Sequence, residues 1–191
     1  MSTFVEMELS EHQAILGRTV EQSSKLIEDL SMLIVNCFLG GNKILLCGNG
    51  GSAADAQHVA AEFINRFRLD RGPLPAIALT TDSSILTCIG NDSSFENVFS
   101  RQVEALANQG DIFIGISTSG SSQNVLRAVD AAKARGAITV GFTGEKGNQI
   151  LGAKCDYSFV VPSSDTARIQ ECHEFAWHVI CGFVEKKIFS N

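Results

Sequence analysis

The chain lacks any run of about 18 uncharged apolar residues, the length a membrane-crossing helix requires, so no membrane span is expected. Its opening stretch, "MSTFVEMELSEHQ", is acidic and polar and has none of the pattern of a signal peptide. Positive charge is not in surplus. Fifteen Lys and Arg stand against 21 Asp and Glu, a net charge of −6, which disfavours non-specific binding to nucleic acid. There are six cysteines but no C-x-x-C, so the paired spacing of a zinc–thiolate site is missing. Most of them lie in apolar runs such as "KILLC" and "HVICGF", the placement of buried free thiols in a cytoplasmic protein. Neither G-x-x-x-x-G-K-[ST] nor G-x-G-x-x-G occurs at the candidate phosphate turns, so the nucleotide fingerprints do not apply there. Internal repeats, low-complexity tracts and long linkers are absent as well.

What remains is an ordinary globular composition over 191 residues, enough for one domain with a full core. The first 39 residues are mostly helical in pattern, with Leu26, Leu30, Leu33 and Ile34 at helical spacing. "NKILLCG", "PAIALTT", "DIFIGISTSG", "ITVGFTG" and "YSFVVP" are five short, nearly all-apolar strand candidates. Helical stretches separate them, at "SAADAQHVAAEFINRF", Ser84–Ile89, Phe95–Ala107 and "SQNVLRAVDAAKARG", and a last helix runs from about Ala167 to Ile188. Such alternation predicts an α/β fold whose parallel sheet is covered by helices on both faces. In these sheets ligands bind outside the carboxyl ends of the strands, so the strand-to-helix turns are where a site belongs.

Two of those turns are unusual. In "GNGGS", Gly48 to Ser52, a bare backbone can aim several N–H groups at one point ahead of a helix N-terminus. A tight turn with Ser52 as N-cap explains the same letters. In "STSGSSQN", Ser117, Thr118, Ser119, Ser121 and Ser122 place five hydroxyls around Gly120, more than a capped turn uses. That suits a phosphate monoester held by hydrogen bonds, since no lysine is at hand.

The helices carry the other candidates. His58 and Glu62 lie one turn apart on one helix face, either as metal ligands or as a simple hydrogen-bonded pair. On the last helix Gln170, Glu174 and His178 form a polar stripe. Gln170 and His178 are about 12 Å apart along an ideal axis, long for two ligands of one ion. His173 lies well round the helix and fits a structural or interface role. Asn91 and Asp92, in "GND", are either cleft residues or ordinary turn composition. Arg66 could reach an acidic substrate or cover the helix surface.

Together "CGNGGSAADAQH…E", "AIALTTD", "GND", "GISTSGSS" and "RIQE…H" resemble the phosphoheptose isomerases of the sugar isomerase (SIS) superfamily, in order, from about residue 40 to the end. The resemblance implies a three-layer sandwich, a flavodoxin-like SIS domain with a five-stranded parallel sheet over 40–191, and a helical extension over 1–39 that packs on it or on neighbouring subunits. It implies a homotetramer with active sites at subunit interfaces. It implies conversion of sedoheptulose 7-phosphate to glycero-manno-heptose 7-phosphate, the first step towards a nucleotide-activated heptose. The zinc positions fall on His58, Glu62, Gln170 and His178. The substrate positions fall on Asn49, Gly50, Gly51, Asn91, Asp92, Ser117, Thr118, Ser119 and Ser122, with Glu62 and Gln170 meeting both, and with Ser52 and Arg66 as additions. Aldose–ketose isomerisation needs a base, an acid and a stabiliser of negative oxygen, and the resemblance puts Glu62 and His178 in the proton-moving roles. Where some members carry an acidic residue this chain has Ala167, so no role passes to that position. The competing class is a non-catalytic SIS protein, such as the relatives that bind the replication initiator or sense a sugar phosphate. Glu62 and His178 are the residues that separate the two.

Overall fold

The structure, a computed structural model, describes residues 3–190. In chain order its elements are α1 Phe4–Leu39, β1 Ile44–Gly48, α2 Gly51–Ile64, β2 Ala76–Ala78, α3 Ser83–Asp92, α4 Ser100–Leu106, β3 Ile112–Ile116, α5 Gln123–Ala134, β4 Ile138–Gly144, β5 Tyr157–Val161 and α6 Thr166–Phe189. The five strands form one parallel sheet in the order β2-β1-β3-β4-β5.

Strand periodicity divides the core. Ile44 and Leu46 point to a face shared with α1, α2 and α6, whereas Leu45 and Cys47 point to the face under α4 and α5. Because both faces are covered, β1 and β3 are buried at every residue, which explains their nearly unbroken apolar letters. α2 packs on the first face and α5 on the second, so the chain leaves the paired strands β1 and β3 in opposite directions. A crevice therefore opens at their carboxyl ends, where the two unusual turns sit.

α1 begins with a reciprocal capping box: Glu6 N–H donates to Thr3 Oγ1 (3.2 Å) and Thr3 N–H to Glu6 Oε2 (2.7 Å). Its buried residues Ile15, Ile27, Leu30 and Ile34 belong to the same core as the sheet. Arg168 ties it to α6, donating to Glu8 O (3.0 Å) and Glu8 Oε2 (3.1 Å). α6 itself is anchored by Trp177, 1% exposed, whose ring stacks on Phe142 of β4 at 4.4 Å. Cys37, Cys47, Cys172 and Cys181 are buried thiols, Cys155 is half-buried and Cys88 exposed. No helix of the described residues is long and apolar enough to cross a membrane.

Some boundaries differ from the pattern-based expectation. The stretch Phe95–Ala107 is not one helix. A short 3-10 turn at Phe95–Asn97, set by Ser94 Oγ accepting from Glu96 N–H (3.1 Å), precedes α4. α3 continues through "GND", so Asn91 and Asp92 form its last turn rather than a loop.

His173 is fully buried against Phe142, and burial lowers its pKa to about 4 although it donates to the Thr143 carbonyl. It stays neutral in the fold while an unfolded chain would protonate it near pH 6.5. The unfolded state then binds the extra proton, so stability is complete above that pH and is lost as pH falls towards 4. Denaturant melts between pH 7 and 4 should show a loss of on the order of 3 kcal/mol from this residue. His173→Gln should flatten that slope, and an unchanged slope would assign it to other groups.

Candidate active site

The two turns lie side by side because Gly48 of β1 pairs with Ile116 of β3. A reciprocal amide pair locks them: Asn49 Nδ2 donates to Asn124 Oδ1 and Asn124 Nδ2 to Asn49 Oδ1, both at 2.9 Å. In the first turn Gly50 has φ +55°, a region few side chains tolerate, and it is the N-cap of α2. Ser52 is therefore not the cap that "SAAD" suggests. It lies inside the first helical turn, buried at 4% exposure. In the second turn Gly120 has φ +68° and a Cβ there would come within 3.0 Å of the Gly147 carbonyl carbon, so the turn is pressed on backbone. Ser117 Oγ and Ser122 Oγ stand 3.0 Å apart, as do Ser119 Oγ and Ser121 Oγ. Ser122 is the N-cap of α5 but makes no capping hydrogen bond. Neither N-cap residue closes its helix with its own side chain; Ala53 N–H turns back to the Gly50 carbonyl and Val125 N–H to Asn124 Oδ1, which leaves the N–H groups ahead of them for a ligand, with the hydroxyls of the second turn alongside.

The acid–base candidates come from two helices packed on one sheet face. α6 buries Ile169, Cys172, His173, Ala176, Trp177 and Ile180. The stripe Gln170, Glu174 and His178 lies beside that face, where α6 meets α2. His58 Nδ1 is 2.9 Å from Glu174 Oε2, and His58 Nε2 is 3.2 Å from Glu62 Oε1. His178 Nε2 is 3.8 Å from Glu174 Oε2, and the two histidine rings meet edge to face at 5.2 Å. His58, Glu174 and His178 each offer a ligand atom, all within 4.8 Å of one another. Tetrahedral zinc with nitrogen and oxygen ligands separates its donors by roughly 3.4 Å, so pairs at 2.9 and 3.8 Å fit such an ion with small side-chain adjustments.

Gln170 occupies the other end of the stripe and packs on the first turn. A Cβ on Gly51 would lie 2.9 Å from Gln170 Cδ and closer still to its amide nitrogen. The stripe thus runs from the glycine turn to the histidine pair. An open cavity of about 620 Å³ lies along it, lined by His12, Gln170, Glu171, Glu174, Phe175 and His178. Asn91 and Asp92 are not part of this group. They are exposed at the end of α3, where Asp92 lines a separate cavity with Cys88, Asn97 and Arg101. Arg66 is exposed just beyond α2.

Two further residues enter the site. Glu174, which in the sequence is only the middle of a polar stripe, is the carboxylate joining His58 to His178. Asp55, on the His58 face of α2, is buried with its Oδ2 unpartnered. Burial first, then the negative charge of Glu174, push its carboxyl up to about 7, while His58 pulls the other way. The i, i+3, i+7 spacing of Asp55, His58 and Glu62 was the available signal. A cluster with this many carboxylates has a direct electrostatic use for a cation.

The profile for the SIS domain matches residues 9–144. The phosphoheptose isomerase of Aneurinibacillus thermoaerophilus is 49% identical over 100% of this chain and 95% of its own, and that of Roseiflexus sp. (strain RS-1) is 55% identical over 91% and 88%. Among solved structures, the phosphoheptose isomerase of Neisseria gonorrhoeae superposes with a TM-score of 0.83 at 41% identity, covering 95% of this chain and 99% of that one. The one from Francisella tularensis superposes at 0.87 and 34% identity, covering 97% and 100%. By this identity over nearly its whole length, and by the shared fold, the chain belongs to the phosphoheptose isomerases of the SIS family, which are aldose–ketose isomerases.

Proposed function

We propose that the protein converts sedoheptulose 7-phosphate to glycero-manno-heptose 7-phosphate, the first step towards a nucleotide-activated heptose. The observation that carries this reading is the convergence of His58 and Glu62 with Glu174 and His178 beside two turns shaped for an anion. The 7-phosphate docks on the hydroxyls of Ser117, Thr118, Ser119 and Ser122 and the free N–H groups of α5. Asn49, Gly50, Gly51 and Gln170 meet the sugar, with Ser52 beneath them. Binding energy from the remote phosphate then positions the carbons that react.

Glu62 takes a proton from C1 of the ketose and returns it to C2. His178 gives a proton to the C2 oxygen and takes one from the C1 oxygen, so the enediol collapses to the aldose without net change in protonation. His58, Glu62, Gln170 and His178 would hold one zinc ion per subunit; because Glu62 lies against Nε2 of His58 and Glu174 against its Nδ1, only one of these two carboxylates would share the ion with His58, and the other would hydrogen-bond its second ring nitrogen. Bound there, the ion would polarise the carbonyl and steady negative oxygen.

We further propose a cytoplasmic homotetramer in which 1–39 forms the helical extension of an SIS domain over 40–191, with active sites at subunit interfaces. Exposed Phe175 and Val179 beside His178, and Phe4, Val5 and Met7 at the start of α1, are apolar surfaces suited to neighbouring copies. Asn91 and Asp92, remote from the cluster in their own chain, would reach the site of another subunit.

Incubation of the pure protein with sedoheptulose 7-phosphate should yield the aldose phosphate. Glu62→Gln and His178→Gln should each lower turnover by about 10²–10⁴-fold with the fold intact; near-normal turnover in either variant removes that residue from proton transfer. Zinc added to chelator-stripped protein should raise its thermal midpoint, and His58→Ala should abolish the rise. Full activity after complete stripping would keep the isomerase and discard the metal. Gly51→Ala should leave the midpoint within a few degrees, because only a flexible side chain must move, yet displace Gln170 and cut turnover at least tenfold. Unchanged turnover in that variant would take Gln170 out of the sugar site.

A further inference from the structure

Among the described residues outside the cluster, the most heavily connected charged pair is Arg71 with Glu185. Their side chains are only 2% and 3% exposed, and Arg71 Nε donates to Glu185 Oε1 at 3.0 Å. A pair taken this far out of water is retained only with its remaining hydrogen bonds satisfied, and here each partner spends them on backbone. Arg71 Nη2 donates to the carbonyl of Glu62 (2.8 Å), and Arg71 Nη1 to those of Phe63 (2.6 Å) and Gly72 (2.9 Å). Glu185 accepts from the N–H groups of Phe67 (3.1 Å), Arg68 (2.8 Å) and Leu69 (2.9 Å).

These bonds end at the proton-moving residues. The carbonyls of Glu62 and Phe63 belong to the last turn of α2, where intrahelical donors run out, so Arg71 caps the turn that carries Glu62. The segment that Glu185 gathers presents Phe67, whose ring stacks on His178 at 5.5 Å and 16°. Phe67 also rests against Gly182, one turn further along the same face of α6. Arg68 covers the Phe67 ring at 4.8 Å. One buried pair therefore holds the end of α2 behind Glu62 and the aromatic plate against His178, while its own Glu185 sits two turns beyond His178 on α6.

We propose that Arg71 and Glu185 are positioning residues for the isomerisation: through the Glu62 carbonyl and the Phe67 ring they hold the base and the acid of opposite helices in mutual register. This rests on the reading of Glu62 and His178 as the acid–base pair. The anion-binding turns lie at the other end of α2 and at the start of α5, so the pair acts on turnover and not on capture of the phosphate.

The test is steady-state kinetics of aldose formation from sedoheptulose 7-phosphate, with thermal midpoints, for the full-length wild type, Glu62→Gln, Arg71→Lys and Phe67→Leu. Lysine keeps a charge facing Glu185 but cannot span the three carbonyls that the guanidinium fork reaches. Phe67→Leu removes the plate and leaves the backbone bonds to Glu185 in place. Both variants should keep KM within about threefold and lose about 10–10²-fold in kcat, the scale of a displacement near 1 Å. Folded Arg71→Lys and Phe67→Leu proteins with kcat within twofold of wild type, alongside an inactive Glu62→Gln, would overturn the positioning role and leave the acid–base reading standing. Near-normal turnover of Glu62→Gln would instead overturn the acid–base reading itself. If Arg71→Lys does not fold at the assay temperature, Phe67→Leu decides alone: the expected split supports the proposal and an unchanged kcat overturns it.

Discussion

The site depends on one packing constraint, the seating of α6 beside α2 on a single face of the sheet. Trp177 stacked on Phe142, with His173 buried next to it, sets the rotation of α6 about its axis. Once that face is buried, Gln170, Glu174 and His178 must emerge along the seam with α2, where His58 and Glu62 wait. Rotating the helix by a single residue would move each of these groups by about 100° and disperse the cluster. The apolar core and the polar stripe are thus two sides of the same helix, and the packing of one fixes the placement of the other.

The second contribution comes from topology. Crossovers that leave β1 and β3 towards opposite faces place two helix N-termini at one crevice, and the Asn49–Asn124 amide pair holds them together. Neither helix is capped by the side chain of its N-cap residue, and the turns are made of residues that crowd backbone or carry hydroxyls. Leaving such donors open costs stability in the free protein. They are the features that a tightly capped structural turn would lack. Gln170, resting on Gly51, joins the glycine turn to the histidine end of the stripe.

Much of this was legible in the letters. Unbroken apolar strands between helices led to the parallel sheet, and the glycine- and serine-rich turns were located without coordinates. The opposite faces of α6 followed from spacing alone, which separated His173 from His178 correctly. Less legible was anything set by contact between distant segments. Ser52 looked like a cap, but the positive φ of Gly50 starts the helix two residues earlier. "GND" looked like a turn, but α3 runs through it. Glu174 and Asp55 gave no strong local signal, because a carboxylate on a helix is ordinarily a solvated surface charge. What marks Asp55 is burial and the nearness of Glu174, and what marks Glu174 is its reach to two histidines.

The sequence by itself therefore determined the succession of strands and helices along the chain and the place of the two unusual turns. Periodicity and backbone stereochemistry act over a few residues and leave their mark on neighbouring letters. Only the tertiary structure decided which groups meet. It paired His58 with Glu174 across 116 positions, and it closed Arg71 on Glu185 across 114. Side chains that far apart are joined by how helices pack on a sheet, and that depends on the summed burial of the whole core rather than on any short stretch of chain.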